Sequence, residues 1–111
     1  MGTQNLTFKI ACEPWEFEKI HRLNYKTFVE EIPQHQSSPD KTLVDKFHSE
    51  NTYLICLHGD HLLGMVAVRD KRPFSLDSKL GNLDAYLPPH RSVCEIRLLA
   101  VEKDRRSGRV P

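Results

Sequence analysis

The sequence has its clearest chemical signal in a basic, glycine-containing turn that follows an apolar strand near the C-terminus. Residues 93–101 read VCEIRLLAV, and the turn after them carries groups suited to an anion: Arg105, Arg106, Ser107, Gly108 and Arg109. Pro111 suits the first position of a following helix, because its missing N–H costs nothing there. Such a turn directs backbone N–H groups at an anion, and arginine adds charge-assisted hydrogen bonds to phosphate. The pattern predicts binding of a phosphorylated cofactor; the alternative is a solvated basic tail.

Glu95 is the carboxylate best placed in the sequence to act as a general base. It lies within the apolar run 93–101, where a positioned carboxylate can take a proton from a reacting group. The alternative is a surface ion pair with Arg97, two residues further along the strand. Asp45, in a predicted short helix, and Arg69, at the end of a predicted strand, are candidates for binding a substrate. For each of these two, the alternative is an ordinary solvated side chain.

The six histidines and three cysteines form no metal-binding pattern. No two histidines are spaced i, i+4 on a predicted helix. His58 and His61 flank a turn, and Asp60 is the only nearby side chain that could serve as a further metal ligand. We therefore expect no metal site. The cysteines are odd in number and widely spaced, and each lies in an apolar run: Cys12, Cys56 and Cys94. This usage predicts buried free thiols in a reducing compartment.

Hydrophobic periodicity predicts the elements that must position these groups. In chain order they are a strand at 6–11, a helix at 15–31 opened by Pro14 and ended at Ile32-Pro33, a short helix at 41–48 capped by Asp40, a hairpin with strands at 52–58 and 61–69, a long connection at 70–92 and a strand at 93–101. The order predicts one α+β (mixed α/β) domain built on an antiparallel meander.

Two details of the predicted elements bear on the site. The apolar stripe of the long helix is interrupted by His21 and Asn24, which we interpret as boundary residues; the alternative is that they line a ligand groove. In the last strand, strict alternation predicts one face made of Cys94, Ile96, Leu98 and Ala100, and the other made of Val93, Glu95, Arg97, Leu99 and Val101.

The C-terminal turn resembles motif A of the GNAT acyltransferases. That motif reads R-x-x-G-x-G/A, and residues 105–110 read RRSGRV, with Val110 in the last place. The resemblance implies that Arg105, Arg106, Ser107, Gly108 and Arg109 bind the pyrophosphate of coenzyme A. It also implies that backbone groups of Leu99, Ala100 and Val101 hold the pantetheine arm, and that an N–H among them stabilises the oxyanion of the thioester.

The upstream part of the chain is similar to the acyl-homoserine-lactone synthases and the long-chain N-acyl amino acid synthases, a GNAT-like branch. The similarity lies in the order of the motifs: Phe28-Val29-Glu30-Glu31 on the first helix, Asp45 three residues before His48, Tyr53 in the next strand, Arg69 at the end of the hairpin, and Glu95 followed by Arg97. In that branch the last of these motifs is E-x-x-R, with the arginine three residues after the glutamate. Here Arg97 follows Glu95 by two residues and so stands one place early. The resemblance implies substrate contacts from Phe28, Asp45, Arg69 and Arg97, and a base at Glu95.

The resemblance implies an N-acyltransferase that moves an acyl group from acyl-CoA or acyl carrier protein to a small amine or amino acid. The amine attacks the thioester directly, so it must lose a proton while both groups are held close. The family fold continues beyond such a turn with a helix and a fifth strand. Residues 1–111 are therefore expected to form one partial GNAT-like domain, truncated after the fourth strand and dependent on a complementing C-terminal segment for activity.

Two other interpretations of the sequence stay open. One is a non-catalytic GNAT-like module that binds a cofactor or partner and forms a homodimer through the open edge of its last strand. The other is a small α+β domain with no acyltransferase ancestry. A thermal shift with coenzyme A would distinguish a cofactor-binding module from a purely associating one.

Charge and hydropathy exclude several classes of protein. The net charge is +1, so no long-range field gathers nucleic acid. The N-terminal MGTQNLTFK has no apolar run of a signal peptide, and no run approaches the roughly 20 residues of a membrane span. We expect a cytoplasmic protein with no nucleic-acid partner.

Overall fold

A four-stranded antiparallel sheet is the centre of the fold. The computed structural model describes residues 5–103. The strands lie side by side in chain order and are β1 (Leu6–Ile10), β2 (Thr52–His58), β3 (His61–Arg69) and β4 (Glu95–Val101). One helix, α1 (Pro14–Tyr25), packs on one face against β3 and β4. The architecture is mixed α+β, as the sequence predicts.

The start of α1 is held by a buried carboxylate. Glu16, only 1% exposed, accepts hydrogen bonds from the backbone N–H groups of Cys12 at 2.8 Å and Glu13 at 3.0 Å. Its other oxygen lies 2.7 Å from Nζ of Lys9 on β1. Because the first N–H groups of a helix lack partners within it, this carboxylate both caps α1 and ties it to the sheet.

The helix changes geometry before its predicted end. Lys26–Glu31 is a π-helical turn, in which the N–H of Ile32 donates to the carbonyl of Thr27, five residues earlier, at 2.9 Å. The chain then leaves the helix ahead of Pro33, since the residue before a proline is disfavoured in the α conformation. Turns of this kind are frequent at functional sites.

The two faces of the sheet differ in how they are covered. The face under α1 carries the core, which includes Ile20, Tyr53, Met65, Ala67 and Ala100. Within residues 5–103, the opposite face is left apolar and open. Its most exposed large side chains are Phe8 at 75%, Ile96 at 69% and Leu99 at 61%.

A β-bulge in β4 breaks the alternation predicted for this strand. Ile96 pairs with Val68 and Leu98 pairs with Ala67, so Arg97 is an extra residue between them. A bulge of this type turns the strand and shifts which side chains share a face. The predicted grouping of Ile96 with Leu98 and Ala100 was wrong: Ala100 is buried in the core, whereas Ile96 lies on the open face.

The segment between α1 and β2 is irregular, and the short helix predicted at 41–48 was wrong. Lys41 has a φ of 55°, in the left-handed region, which is incompatible with the first turn of a helix. Asp40 instead accepts a hydrogen bond from Oγ of Ser38 at 3.0 Å, and the N–H of Leu43 donates to the carbonyl of His21 at 2.9 Å. A single 3₁₀ turn, His48–Glu50, precedes β2.

The connection between β3 and β4 contains two further 3₁₀ turns, Ser75–Ser78 and Leu83–Tyr86. None of the helices within residues 5–103 has the length and apolar character needed to cross a membrane.

The prediction of buried cysteines was wrong for two of the three. Cys12 and Cys94 are exposed and Cys56 is half-buried; all three are free thiols. Cys12 follows the end of β1 and Cys94 precedes β4, so their apolar neighbours in sequence do not bury them.

Candidate acceptor-binding site

A cavity of about 290 Å³ lies between the helical layer, the irregular segment and β4. Asn24 and Phe28 line it from the helical side, residues 43–46 from the irregular segment, and Arg97 and Leu98 from the bulge of β4. The structure thus brings together three of the four residues predicted to bind the substrate: Phe28, Asp45 and Arg97. The bulge explains how Arg97 reaches this side, because Arg97 and Leu98 both line the cavity.

An ion pair crosses the cavity wall. Nη2 of Arg97 donates to Oδ1 of Asp45 at 3.0 Å, with the two side chains 19% and 7% exposed. The other carboxylate oxygen of Asp45 accepts from Nδ2 of Asn51 at 2.9 Å and from the N–H of Phe47 at 3.3 Å. Both oxygens of Asp45 are therefore occupied, and the carboxylate is fixed in one orientation.

Two residues of the cavity lining carry buried polar atoms that find no hydrogen-bond partner in the described part of the protein. They are Nε of Arg97, a donor, and Oδ1 of Asn24, an acceptor. Asn24 is 1% exposed, and its Nδ2 reaches the carbonyl of Leu43 only at 3.5 Å. An unpaired buried polar group costs about 1–3 kcal/mol, so each of these atoms lacks a hydrogen bond that the described residues do not supply.

A chain of hydrogen bonds runs from Asp45 away from the cavity. Asn51 Nδ2 also donates to the hydroxyl of Tyr53 at 3.3 Å, and this oxygen lies 2.9 Å from Nδ1 of His48. The ring of His48 packs edge-on against that of His21, with centroids 4.7 Å apart. Burial raises the pKa of Tyr53 above its usual value, and burial together with the neighbouring His48 lowers the pKa of His21.

Arg69, the fourth predicted substrate-binding residue, lies behind the cavity wall. Its side chain is 3% exposed, its Nε donates to Oε1 of Glu50 at 2.8 Å, and a further N–H donates to the carbonyl of Pro73. The guanidinium stacks 3.9 Å from the ring centre of Phe47, and Arg97 lies 5.2 Å from the same ring. Arg69 therefore supports Phe47 and, through it, the wall formed by the irregular segment.

Glu95 lies apart from Phe28, Asp45 and Arg97. It accepts hydrogen bonds from the backbone N–H of Ser75, at 3.0 and 3.1 Å, and from the hydroxyl of Ser75. It pairs in register with Arg69, at the start of β4. The surface pair between Glu95 and Arg97 considered from the sequence is not what the structure shows, because Arg97 is bonded to Asp45. A catalytic role of Glu95 stays a prediction.

The residues predicted to hold the cofactor divide between the described and undescribed parts of the chain. Leu99, Ala100 and Val101 form the end of β4, which lies at an edge of the sheet within residues 5–103. An edge strand offers one row of backbone N–H and C=O groups to a ligand on the side away from its neighbour. Arg105, Arg106, Ser107, Gly108 and Arg109 lie outside the described residues.

Sequence reasoning missed two residues of this site, Asn24 and Asn51. Asn24, interpreted as a boundary residue, is buried and lines the cavity, whereas His21 does not line it; a role in a ligand groove stays a prediction. Asn51 carried no signal in the sequence, because its role depends on a turn that places it beside Asp45. In residues 5–103, no group of three or more histidine, cysteine or acidic side chains is arranged to hold a metal ion.

Comparison with known proteins identifies the family. The model of the acetyltransferase (GNAT) domain matches residues 23–111, a range that contains the whole cavity lining. No curated protein and no solved structure matches the chain. The four-stranded antiparallel meander with a helix on one face agrees with the first part of such a domain. On this match, which covers most of its length, the chain belongs to the GNAT acetyltransferase family.

Proposed function

We propose that this protein is an N-acyltransferase whose amine acceptor binds in the cavity beside Asp45 and Arg97. The proposal is supported by membership of the GNAT family, and above all by one observation. The cavity is lined by Asn24 and Arg97, each of which has a buried polar atom without a hydrogen-bond partner in the described part of the protein. Pockets that combine apolar walls with a few such polar groups are typical of small-molecule sites.

The cavity favours an acceptor that carries a carboxylate, as an amino acid does. The charge of Asp45 is already matched by Arg97, and Lys46 adds a further positive charge to the lining. The free Nε–H of Arg97 suits a carboxylate oxygen, and Oδ1 of Asn24 suits an amine N–H. Leu43, Val44 and Leu98 provide apolar contacts for a hydrocarbon side chain.

The acyl donor is proposed to be acyl-CoA or acyl carrier protein, which supplies a thioester activated toward amines. Backbone groups of Leu99, Ala100 and Val101 at the edge of β4 would hold the pantetheine arm. Arg105, Arg106, Ser107, Gly108 and Arg109 would bind the pyrophosphate. Glu95 does not line the cavity, so it would take the proton of the attacking amine through water. A cytoplasmic location belongs to the same proposal.

Binding of matched ligands tests the acceptor site. L-Leucine carries both groups, 3-methylbutan-1-amine lacks the carboxylate, and 4-methylpentanoate lacks the amine. In ¹H–¹⁵N NMR titrations we expect leucine to bind most tightly and to perturb Asn24 and Arg97. Arg97→Gln should weaken leucine binding while leaving that of 3-methylbutan-1-amine nearly unchanged. Equal affinity for leucine and the bare amine would contradict the proposed acceptor.

Acyl transfer is tested separately, by mass spectrometry of leucine incubated with acetyl-CoA and the protein. N-Acetylleucine formed in proportion to protein concentration is the expected product. Transfer that is unaffected by Glu95→Gln would argue against Glu95 as the base.

A second candidate function is a partner-binding module without catalysis. The observation in its favour is the open apolar face, where Ile96 and Leu99 are 69% and 61% exposed on the edge strand β4. Such a surface associates readily with another chain. Concentration-dependent sedimentation together with no thermal shift by coenzyme A would favour this function over the first.

A further inference from the structure

We propose that Asn51 and Tyr53 are positioning residues that aim the guanidinium of Arg97 into the acceptor cavity. Neither residue lines the cavity, and both act through Asp45. The inference rests on the proposed function, since it concerns how the acceptor site is held in its binding geometry.

The argument begins with the amide of Asn51. Its Nδ2 carries two hydrogens, and the structure uses both: one toward Oδ2 of Asp45 at 2.9 Å and one toward the hydroxyl of Tyr53 at 3.3 Å. The reverse orientation of the amide would place Oδ1 against the carboxylate of Asp45, which is repulsive. The two contacts therefore fix the amide in a single orientation.

The next hydrogen bond joins the hydroxyl of Tyr53 to the ring of His48. The Tyr53 oxygen accepts from Asn51, so its own hydrogen is available for Nδ1 of His48 at 2.9 Å. We infer that the hydroxyl donates to Nδ1, which places the proton of the neutral His48 ring on Nε2. The chain runs from Asp45 through Asn51 and Tyr53 to His48; Asn51 donates to both of its neighbours, and Tyr53 accepts from Asn51 and donates to His48.

At the other end of the chain is the cavity. Asn51 and the N–H of Phe47 hold Oδ2 of Asp45, which leaves Oδ1 for Nη2 of Arg97 at 3.0 Å. With Nη2 held there, Nε of Arg97 is a buried nitrogen of the guanidinium that has no hydrogen-bond partner among the described residues. A change in the orientation of Asp45 would rotate the guanidinium and move this donor.

The hydroxyl of Tyr53 can be removed with little change in packing. The ring is 1% exposed and lies edge-on to Phe17, with centroids 6.1 Å apart. Phenylalanine keeps these contacts and removes the hydrogen bonds to Asn51 and His48. Tyr25 offers a matched control: it is also buried, at 4% exposure, but its hydroxyl bonds to the backbone of Ser38, outside this chain of residues.

Three measurements on the full chain test the proposal. In the ligand-free protein, the ¹Hε–¹⁵Nε signal of Arg97 should shift or broaden in Tyr53→Phe and stay in place in Tyr25→Phe. The ¹⁵N signals of His48 should report the Nε2–H tautomer in the wild type and a mixture of tautomers in Tyr53→Phe. The affinity for L-leucine should fall about tenfold in Tyr53→Phe, as the loss of one or two hydrogen bonds predicts.

The outcomes separate this inference from the proposed function. If the wild type binds leucine and Tyr53→Phe binds it equally well with an unchanged Arg97 signal, the positioning role is overturned and the acceptor site stands. If the wild type does not bind leucine, the proposed acceptor fails, and the ligand-free Arg97 signal still decides the positioning role. Should Tyr53→Phe fail to fold, Asn51→Ser breaks the same chain at a half-buried position, with the same expected signals.

Discussion

Arg97 donates to Asp45 at 3.0 Å and so joins two residues that lie 52 positions apart in the chain. The contact connects the bulge of β4 to the irregular segment before β2, and the acceptor cavity lies beside it. Nη2 of Arg97 holds the wall of the cavity, and its buried Nε has no hydrogen-bond partner among the described residues. One residue therefore couples the stability of the fold to the shape of the site.

Arg97→Ala should lower the free energy of unfolding by about 2–3 kcal/mol. The substitution leaves the carboxylate of Asp45, 7% exposed, without its charged partner. Breaking a fully buried pair typically costs about 3–5 kcal/mol, and we expect less because 19% of the Arg97 side chain is in solvent. Urea denaturation monitored by circular dichroism measures the difference.

The matched control for this substitution is Arg22→Ala. Arg22 pairs with Glu18 at 2.8 Å on the exposed side of α1, with the side chains 57% and 56% exposed. Exposed pairs of this kind contribute about 0.5 kcal/mol or less. Equal losses of unfolding free energy in the two variants would show that the Arg97–Asp45 contact stabilises the fold no more than an exposed ion pair does.

The sequence predicts the order of strands well, because alternation and turn residues are local signals. The hairpin around Gly59 and the strand order β1 to β4 follow from them. The grouping of Phe28, Asp45 and Arg97 as substrate-binding residues came from motif resemblance, and the structure places these three around one cavity. Their role in binding a substrate stays a prediction.

Other features depend on tertiary structure and have no local signal. The bulge at Arg97 reverses the alternation of β4, and no residue near it marks the change. The helix predicted at 41–48 is replaced by an irregular segment, in which the N–H of Leu43 bonds to the carbonyl of His21. Arg69 is engaged by Glu50 and Phe47, two neighbours that only the folded chain brings to it.

The carboxylate of Glu16 should make the fold sensitive to acid. Burial alone would raise its pKa, but hydrogen bonds from Lys9 and from the N–H groups of Cys12 and Glu13 outweigh burial and lower the pKa to about 2. Because the folded-state pKa is below the ordinary value of 4.5, ionised Glu16 stabilises the fold above pH 4.5. This contribution is lost as the pH falls from 4.5 toward 2.

Melting temperatures measured from pH 2 to pH 7 test this assignment. We expect Glu16→Gln to melt well below the wild type at neutral pH, and the gap between them to close as the pH approaches 2. Glu18→Gln, on the exposed face of α1, should follow the wild-type curve throughout. A gap between Glu16→Gln and wild type that stays constant with pH would contradict the role of the ionised carboxylate.

The cysteines should differ in their reactivity toward a thiol reagent. Cys12 and Cys94 are exposed and Cys56 is half-buried in β2. We expect two thiols of the native protein to react rapidly with Ellman's reagent and the third to react more slowly, since access limits modification of a partly buried thiol. Cys56→Ala should remove only the slow phase. Three equal rates in the native protein would show that β2 does not shield Cys56.

The open face of the sheet should drive self-association through Ile96 and Leu99. Both are large, apolar and more than half exposed on the edge strand β4. Replacing both with threonine keeps a residue that favours strands and removes most of the apolar surface. We expect the Ile96→Thr, Leu99→Thr variant to sediment as a smaller species than the wild type at equal concentration.

The control is Tyr86→Ser, which removes a side chain of similar exposure, 72%, from a 3₁₀ turn rather than from β4. A wild type that is monomeric at every concentration would show that this face does not self-associate, whereas an equal response in both variants would point to general surface hydrophobicity instead of β4.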